Sequence, residues 1–475
     1  MRERYSFKRY VGSFLERSFW LLFAVAVAAQ ASVAQIDRAA LTGTVTDPTG
    51  AVVQRAQVEA VDIATALKSD AQTNSRGVYL VPGLAVGTYA VTISHEGFGT
   101  VSFQDVLLEV GLTRVLNAAL RVSVPGEKVQ VEALQPLEQT SPEVSGVITE
   151  QQIREIPING RNWATLLVLA PGAIDDGGGD QRSIRFAGRG RDDNNYMIDG
   201  VDATGIQEQA QKSTTRLQVS EDAISEYRVS SSLYTAEYGA GAGGQVNIET
   251  KSGTNEYHGS VYEYFRNNLL DARSFIDFDP FGNPVRPPFR MNQYGLTLGG
   301  PITRGKTFFF LSYEGLRQLE DFTQAGFVPS APLRAVVLAK SPQLAPIIAA
   351  YPKGNTNFGV CNDPTSDPCV DEFLHQAPNV VNEDSFLVRL DHQISANTTF
   401  YARAQRDVSF SKAPLGAPNA LLDTQQVITH PANYMLALAH SFSPTLFNEI
   451  KFGVNRAPFH NPQASVLPHD VTLDS

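Results

Sequence analysis

The sequence predicts a mainly β protein: compact sandwich-type strands first, a short α+β stretch next, and long antiparallel strands through the C-terminal half. Three observations carry that reading. Only 18% of the 475 residues are charged, while glycine, aromatic and small polar residues are plentiful, a balance suited to half-exposed extended chain. Apolar residues recur with period two in short segments separated by Gly, Pro and Asp. The N-terminus is basic and then apolar, which marks export.

Arg2, Arg4, Lys8, Arg9 and Arg17 precede the apolar run Ser18–Ala31, and small residues around Ala31 and Ala34 offer a peptidase its site. The run is short for a membrane span, so residues 1–34 are expected to be a cleaved signal peptide. Losing a net charge of +3 with it would take the chain from −11 to −14. With a pI near 5.3, a nucleic-acid partner is not expected. No later stretch approaches about 18 consecutive apolar residues, so the processed chain is either soluble or enters a membrane as strands. Cys361 and Cys369, in CNDPTSDPC, are expected to form a local disulfide in an oxidising compartment.

Residues 35–124 read as a β-sandwich. Val58, Ala60 and Asp62 share one parity, and Tyr89, Val91 and Ile93 form a second alternation. The segments GTVTDPTGAVVQRAQVEAV and TNSRGVYLVPGLAVGTYAVTISHEGF resemble the carboxypeptidase regulatory-like, or transthyretin-like, domain. That resemblance implies a turn at Gly77 and the Gly87–Tyr89 segment, and it implies no peptidase activity: His95 is the only histidine there. Residues 125–145 read as a linker. Within it, Lys128, Val129, Gln130, Val131, Glu132, Ala133 and Leu134 alternate, as either a terminal sandwich strand or an edge that a partner captures by strand addition.

Residues 146–252 mix short helices and strands. In ITEQQIREIP, Thr149 can cap a helix with Gln152 three residues on, and Pro157 stops it. NWATLLVLAPG reads as a second short helix, and IRFAGRGRDDNNYMIDGVDA as two strands around a turn. EDAISEYRVSSSLYTAEYGAGAGGQVNIETKSG reads as a short helix, a strand, a glycine-rich bend and a strand. Gly239–Gly244 formally satisfies G-x-G-x-x-G, but a strand follows where a nucleotide site needs a helix. The glycines are therefore expected to permit a bend or close backbone approach.

From residue 253 onward, segments of about ten residues alternate between an apolar and a mixed face. In TTFYARAQRDVSF, Thr399, Tyr401, Arg403 and Gln405 alternate with Phe400, Ala402 and Ala404. In NYMLALAHSF, Tyr434, Leu436 and Leu438 alternate with Met435, Ala437 and Ala439. Short connections at Thr303–Lys306 and Ser443–Thr445 alternate with long ones at 266–290 and 318–384, the mark of periplasmic turns and extracellular loops.

The ordered segments IPINGRNWATLLVLAPGA, IRFAGRGRDDNNYMIDGVD and ISEYRVSSSLYTAEYGAGAGGQVNIETKSGTNEYHGSVYEYFRNNLLDARSF resemble the plug and barrel entry of TonB-dependent outer-membrane receptors, most of all the Oar-like subgroup. The resemblance implies an α+β plug at 146–252 with motif residues Asn159, Gly160, Arg161, Asn162, Arg185, Gly188, Arg189, Asp199 and Gly200. It implies a partial antiparallel transmembrane β-barrel from 253, and a TonB box at Lys128–Leu134. It implies three partners: the periplasmic TonB complex, outer-membrane lipid and an unidentified extracellular ligand, an oligosaccharide, peptide or siderophore. Such receptors close about 22 strands. Residues 253–475 supply roughly seven to nine at about ten residues each, so a C-terminally truncated chain is expected, because an open wall leaves unpaired backbone in lipid. No HExxH, Gly-x-Ser-x-Gly or Walker loop occurs, so no catalytic site, metal or cofactor is expected. The competing expectation is a secreted or surface-bound adhesion protein for carbohydrate or matrix, without transport.

Overall fold

The computed structural model describes residues 38–122, 128–132, 142–176, 184–190, 193–204, 219–234, 241–273, 283–354, 370–414, 424–443, 446–460 and 463–464. The expected signal peptide and the Cys361–Cys369 segment lie outside them.

The N-terminal domain is a sandwich of two sheets. Strands β1 (Ala39–Thr46), β2 (Gln57–Asp62), β3 (Lys68–Gln72), β4 (Val78–Leu84), β5 (Gly87–Ser94), β6 (Thr100–Leu108), β7 (Thr113–Val115), β8 (Ala118–Ala119) and β9 (Lys128–Glu132) build it. One sheet runs β4-β1-β7 with β8 also on β1, and the other runs β3-β2-β5-β6-β9. The parity read from sequence holds: Val58, Ala60, Asp62, Tyr89, Val91 and Ile93 all point into the core with Leu41, Tyr79 and Leu108. Each large apolar side chain buried this way contributes about 1.5–3 kcal/mol. Asp62 is tolerated there because its carboxylate accepts from Thr65 Oγ1 at 2.7 Å and the Ala64 amide at 2.9 Å. Burial outweighs those bonds and raises its pKa.

The segment read as a linker contributes strands at both ends. Lys128–Glu132 joins the sandwich as β9, parallel to β6. Val144–Ile148 forms β10, which pairs antiparallel with the later strand β15 (Ile224–Ser232) of the middle domain.

That middle domain continues through β11 (Ala173–Asp175), β12 (Ile184–Phe186), β13 (Asn195–Ile198), β14 (Val201–Asp202), β15 and β16 (Gln245–Thr250). Its main sheet runs β10-β15-β16-β13-β14. The helix Glu150–Glu155 opens on a complete capping box: Thr149 accepts from the Gln152 amide, and the Gln152 side chain accepts from the Thr149 amide. Trp163–Leu169 is a 3-10 turn rather than an α-helix. The two strands expected around one turn do not pair with each other. β12 pairs with β11, whereas β13 pairs with β14 and, in parallel, with β16. The glycine-rich bend delivers the chain to β16, and a Cβ on Gly244 would lie 2.2 Å from the Phe186 ring. Close approach explains that glycine. The core gathers Trp163, Leu167, Phe186, Tyr227, Val229, Val246 and Ile248.

The C-terminal sheet is an antiparallel meander. Its strands are β17 (His258–Asn267), β18 (Phe289–Thr303), β19 (Thr307–Pro329), β20 (Val370–Ser395), β21 (Thr398–Pro414), β22 (Thr424–Thr429), β23 (Ala432–Ser443) and β24 (Leu446–Arg456), with the short β25 (Phe459–His460) and β26 (Gln463–Ala464) on β22. β22 and β23 lie end to end along β21. Parity divides the wall. Leu296, Leu298, Phe386, Val388, Tyr434, Leu436, Leu438, Ile450 and Phe452 are exposed on one side. Gln293, Glu314, Glu383, Arg389, Arg403, Gln405, Asp407 and Asn433 are buried on the other, together with Met435, Ala437 and Ala439. An apolar outer face with a polar inner face is the pattern of a strand wall in lipid. Among the described residues no helix is long and apolar enough to cross a membrane.

Candidate functional site

Two polar clusters key the middle domain to the inner face of the wall, beside apolar contacts of Val201 with Tyr401, Met435 and Ala437 and of the domain core with Phe310 and Leu387. The first is a tight hairpin. Ile198 pairs with Val201, and Asp199 and Gly200 between them have φ of 49° and 72°. A two-residue turn with both φ positive favours Asp-Gly, so the local sequence sets the geometry that pushes Asp199 outward from the sheet. The Asp199 carboxylate meets Arg403 Nε at 2.5 Å and Arg389 Nη1 at 3.5 Å, and accepts from the Thr250 amide at 2.8 Å. Lys451 Nζ donates to the Asp199 carbonyl at 3.0 Å. Burial alone would raise the carboxyl pKa, but the two guanidiniums and Thr250 outweigh it and hold Asp199 below the usual carboxylate range. Arg389 also reaches Glu249 at 3.1 Å and the Thr250 carbonyl at 2.6 Å. Arg403 donates to the Ile198 carbonyl at 3.1 Å and to Asn433 at 2.6 Å.

The second point is Arg161, at the end of the 3-10 turn Asn159–Arg161. It pairs with Asp222 and Glu221 of its own domain and with Glu314 of the wall, at 3.5 Å for Glu314. Its guanidinium also stacks over Tyr262 and Tyr264, 4.5 and 4.7 Å from the ring centroids. Cation–π contact of this kind adds to the ion pairs where water is displaced. Asn162 accepts from the Ala164 amide and starts the next turn.

Of the residues singled out from sequence, Arg161, Asp199 and Gly200 therefore lie at this interface, in two separate clusters. Arg185 pairs instead with Asp176 at 2.6 Å, half-buried between the core residues Ile184 and Phe186, and Arg189 is exposed beyond the turn at Gly188. Sequence reading missed Arg389, Glu314, Glu249 and Thr250. The one available clue was a charge at an inward-parity position of a long strand, as at Arg403.

A third contact joins the sandwich to the middle domain. The Val110 amide donates to Glu226 of β15, both buried. Burial first, and then Glu109, push the Glu226 pKa up to about 8 against the lowering effects of Val110 and Arg228. Glu249 is its register partner on β16. Between 4.5, the ordinary value, and about 8, the unfolded chain releases a proton that the folded chain retains. Stability therefore falls as pH rises through that window and is level above it. Glu226→Gln keeps the acceptor and removes the titration. The apparent melting temperature of the detergent-solubilised chain should fall from pH 5 to 8 in the parent and stay level in the variant; matching profiles would contradict this account of Glu226.

The sandwich sits at the end of the wall that carries the short connections. Asn255, just before β17, donates to the Thr65 carbonyl, and its Oδ1 accepts from the Gly305 amide in the β18–β19 turn. Arg38 lies 3.9 Å from Glu449 and 4.2 Å above the Tyr401 ring. At the opposite end, a cavity of about 430 Å³ opens between Gly160 of the middle domain and Arg266, Asp271, Arg273, Arg286 and Glu320.

Three family descriptions match in chain order. Residues 40–121 match the carboxypeptidase regulatory-like domain, 138–246 the TonB-dependent receptor plug domain, and 249–472 the outer membrane beta barrel domain. The chain belongs to the TonB-dependent outer-membrane receptors. The middle domain is thus the plug, the meander is part of the barrel wall, and the protein is located in the outer membrane. The TonB-dependent transporter Oar of Myxococcus xanthus is 26% identical over 310 residues, covering 62% of this chain and 27% of its own length. The chain therefore spans about a quarter of that curated relative. The outer membrane transporter YddB from Escherichia coli has a TM-score of 0.44 at 13% identity, over 65% of this chain and 38% of its own. The siderophore receptor PirA from Acinetobacter baumannii has a TM-score of 0.36 at 17% identity, over 66% and 48%.

Proposed function

We propose that this chain forms part of a receptor that takes up a ligand across the outer membrane by coupling to the periplasmic TonB complex. The observation that carries the reading is the seating of the plug: buried ion pairs at Asp199 and Arg161 fix it, beside smaller apolar contacts, to the inner side of a wall whose reverse side is apolar. Ion pairs and hydrogen bonds supply much of that seam, beside apolar contacts of Val201 with Tyr401, Met435 and Ala437 and of the plug core with Phe310 and Leu387. A mechanical pull that shifts the plug therefore works mainly against polar contacts that water can replace.

The ligand would bind on the side away from the sandwich. Short turns mark the periplasmic end of a barrel and long connections its outer end, so the cavity above Gly160 faces outward. Its lining carries both guanidinium and carboxylate groups, which suits a polar ligand bearing hydrogen-bonding or charged groups of both signs. Oligosaccharides, peptides and siderophores all fit that chemistry.

Coupling would run through the extended segment at Lys128–Glu132, with Ala133 and Leu134 outside the described residues. Strand addition relies on main-chain hydrogen bonds, so an extended backbone matters more than side-chain identity. Val131→Pro, introduced into the full-length receptor, should abolish uptake and leave its level in the outer membrane unchanged. Uptake at the parental rate would sink this assignment.

A further inference from the structure

We propose that the regulatory-like sandwich is the docking platform for the coupling partner: an extended segment of TonB adds to the open edge of β9 while β9 stays paired with β6. The proposal rests on the reading that Lys128–Glu132 is the contact, and it assigns the accessory domain a role in that contact.

β9 is already a strand. It runs parallel to β6, from Thr100 opposite Lys128 to Gln104 opposite Glu132, without a register shift. It is the last strand of its sheet, and among the described residues no strand pairs with its other edge. An edge strand presents a row of backbone donors and acceptors that another chain can use, and natural proteins usually blunt such edges with proline, bulges or charges. The segment KVQVE holds no proline and no bulge, and its charges are confined to its two ends. The opposite edge of the same sheet differs. β3 reads KSDAQ, and its Lys68 is tied back to Glu59 at 2.9 Å. Both edges are unpaired among the described residues, but only β9 sets two β-branched residues, Val129 and Val131, between its charges.

The platform is also fixed in place. Val110 binds Glu226 of the plug, Asn255 binds Thr65, and the Phe447 ring lies against Gly83. These contacts hold the sandwich beneath the wall at its periplasmic end, where a partner from the inner membrane arrives. A strand that is ordered beforehand spares its partner the entropy of straightening a loose tether. Displacing β9 first would break its pairing with β6 along all five register positions and bare a second edge; adding to the outer edge breaks none. A pull on β9 would then reach the sandwich through β6 as well as the plug through residues 133–143.

The test uses the full chain in nanodiscs and the isolated periplasmic C-terminal domain of TonB from the same bacterium as probe. Ser102→Cys and Gln130→Cys stand at register partners, so oxidation ties β9 to β6. The expected result is a Kd for the probe within twofold between the oxidised and reduced forms. In the unsubstituted chain, probe binding should slow amide exchange at 128–132 and leave protection at 100–104 unchanged. A tenfold weaker Kd on oxidation, restored by reduction, would overturn the proposal, as would loss of protection at 100–104, because each means that β9 must leave the sheet. If 128–132 gain no protection and Val131→Pro binds the probe as the parent does, the contact lies elsewhere. The coupling assignment then falls, and the proposal with it.

Discussion

Asp199→Asn is expected to destabilise the seated plug by about 3–5 kcal/mol, the usual cost of removing one partner from a buried ion pair. The substitution keeps the shape of the side chain and an acceptor for Thr250. It removes the charge that two buried guanidiniums share. Arg389 retains Glu249 and Asp391, at 3.1 Å each. Arg403 keeps neutral acceptors, Gln405, Asn433 and the Ile198 carbonyl. The penalty should therefore fall mainly on Arg403, and Arg403→Met in the Asp199→Asn background should recover much of it. The measurement is the urea concentration at which trypsin begins to cut the plug in detergent-solubilised protein. A double variant as weak as the sum of the two single variants would contradict a direct coupling.

Trp163→Ala should cost a similar amount, about 3–5 kcal/mol, for a different reason. Trp163 is 2% exposed, its ring meets Tyr227 edge-on at 5.2 Å, and its carbonyl accepts from the Tyr227 hydroxyl at 3.1 Å. Truncation leaves a cavity between the 3-10 turn and β15 that neither rigid neighbour can fill. Val168→Ala, at an exposed position of the same turn, is the control and should change stability by no more than about 0.5 kcal/mol. Both variants can be read by the same urea and trypsin assay. Equal effects at the two positions would mean that the turn does not pack as described.

The parts of this structure legible in the sequence are those governed by neighbours in the chain. Thr149 and Gln152 form their capping box because both partners lie within one turn. The alternation in Tyr434–Ala439 separates lipid side from plug side because a strand has a period of two. The plug motifs, read in order, point to the family from the sequence alone. What remained hidden depends on contacts distant in sequence. That Asp199 would meet Arg403 cannot be read from either segment alone, since each resembles a charged turn or a mixed strand face. Arg185 and Arg189 are equally suggestive in sequence, yet Arg185 pairs with Asp176 of its own domain and Arg189 is exposed. The same ambiguity affected Lys128–Glu132, whose alternation fitted a terminal strand and a captured edge equally. Its pairing with β6 makes it the first, and the free side of that strand leaves the second open. The 3-10 form of Trp163–Leu169 was likewise hidden, because an apolar run ending in Pro171 and Gly172 serves either helix type.

The central claim is that the meander is a membrane wall with the plug on its inner side. Single cysteines at positions 435 to 438, each carrying a spin label in nanodisc-embedded protein, test it most directly. The account predicts alternation: labels at 436 and 438 collide with lipid-soluble oxygen, while those at 435 and 437 are shielded from both oxygen and water-soluble nickel chelate. Equal access of the water-soluble reagent to all four positions would contradict it.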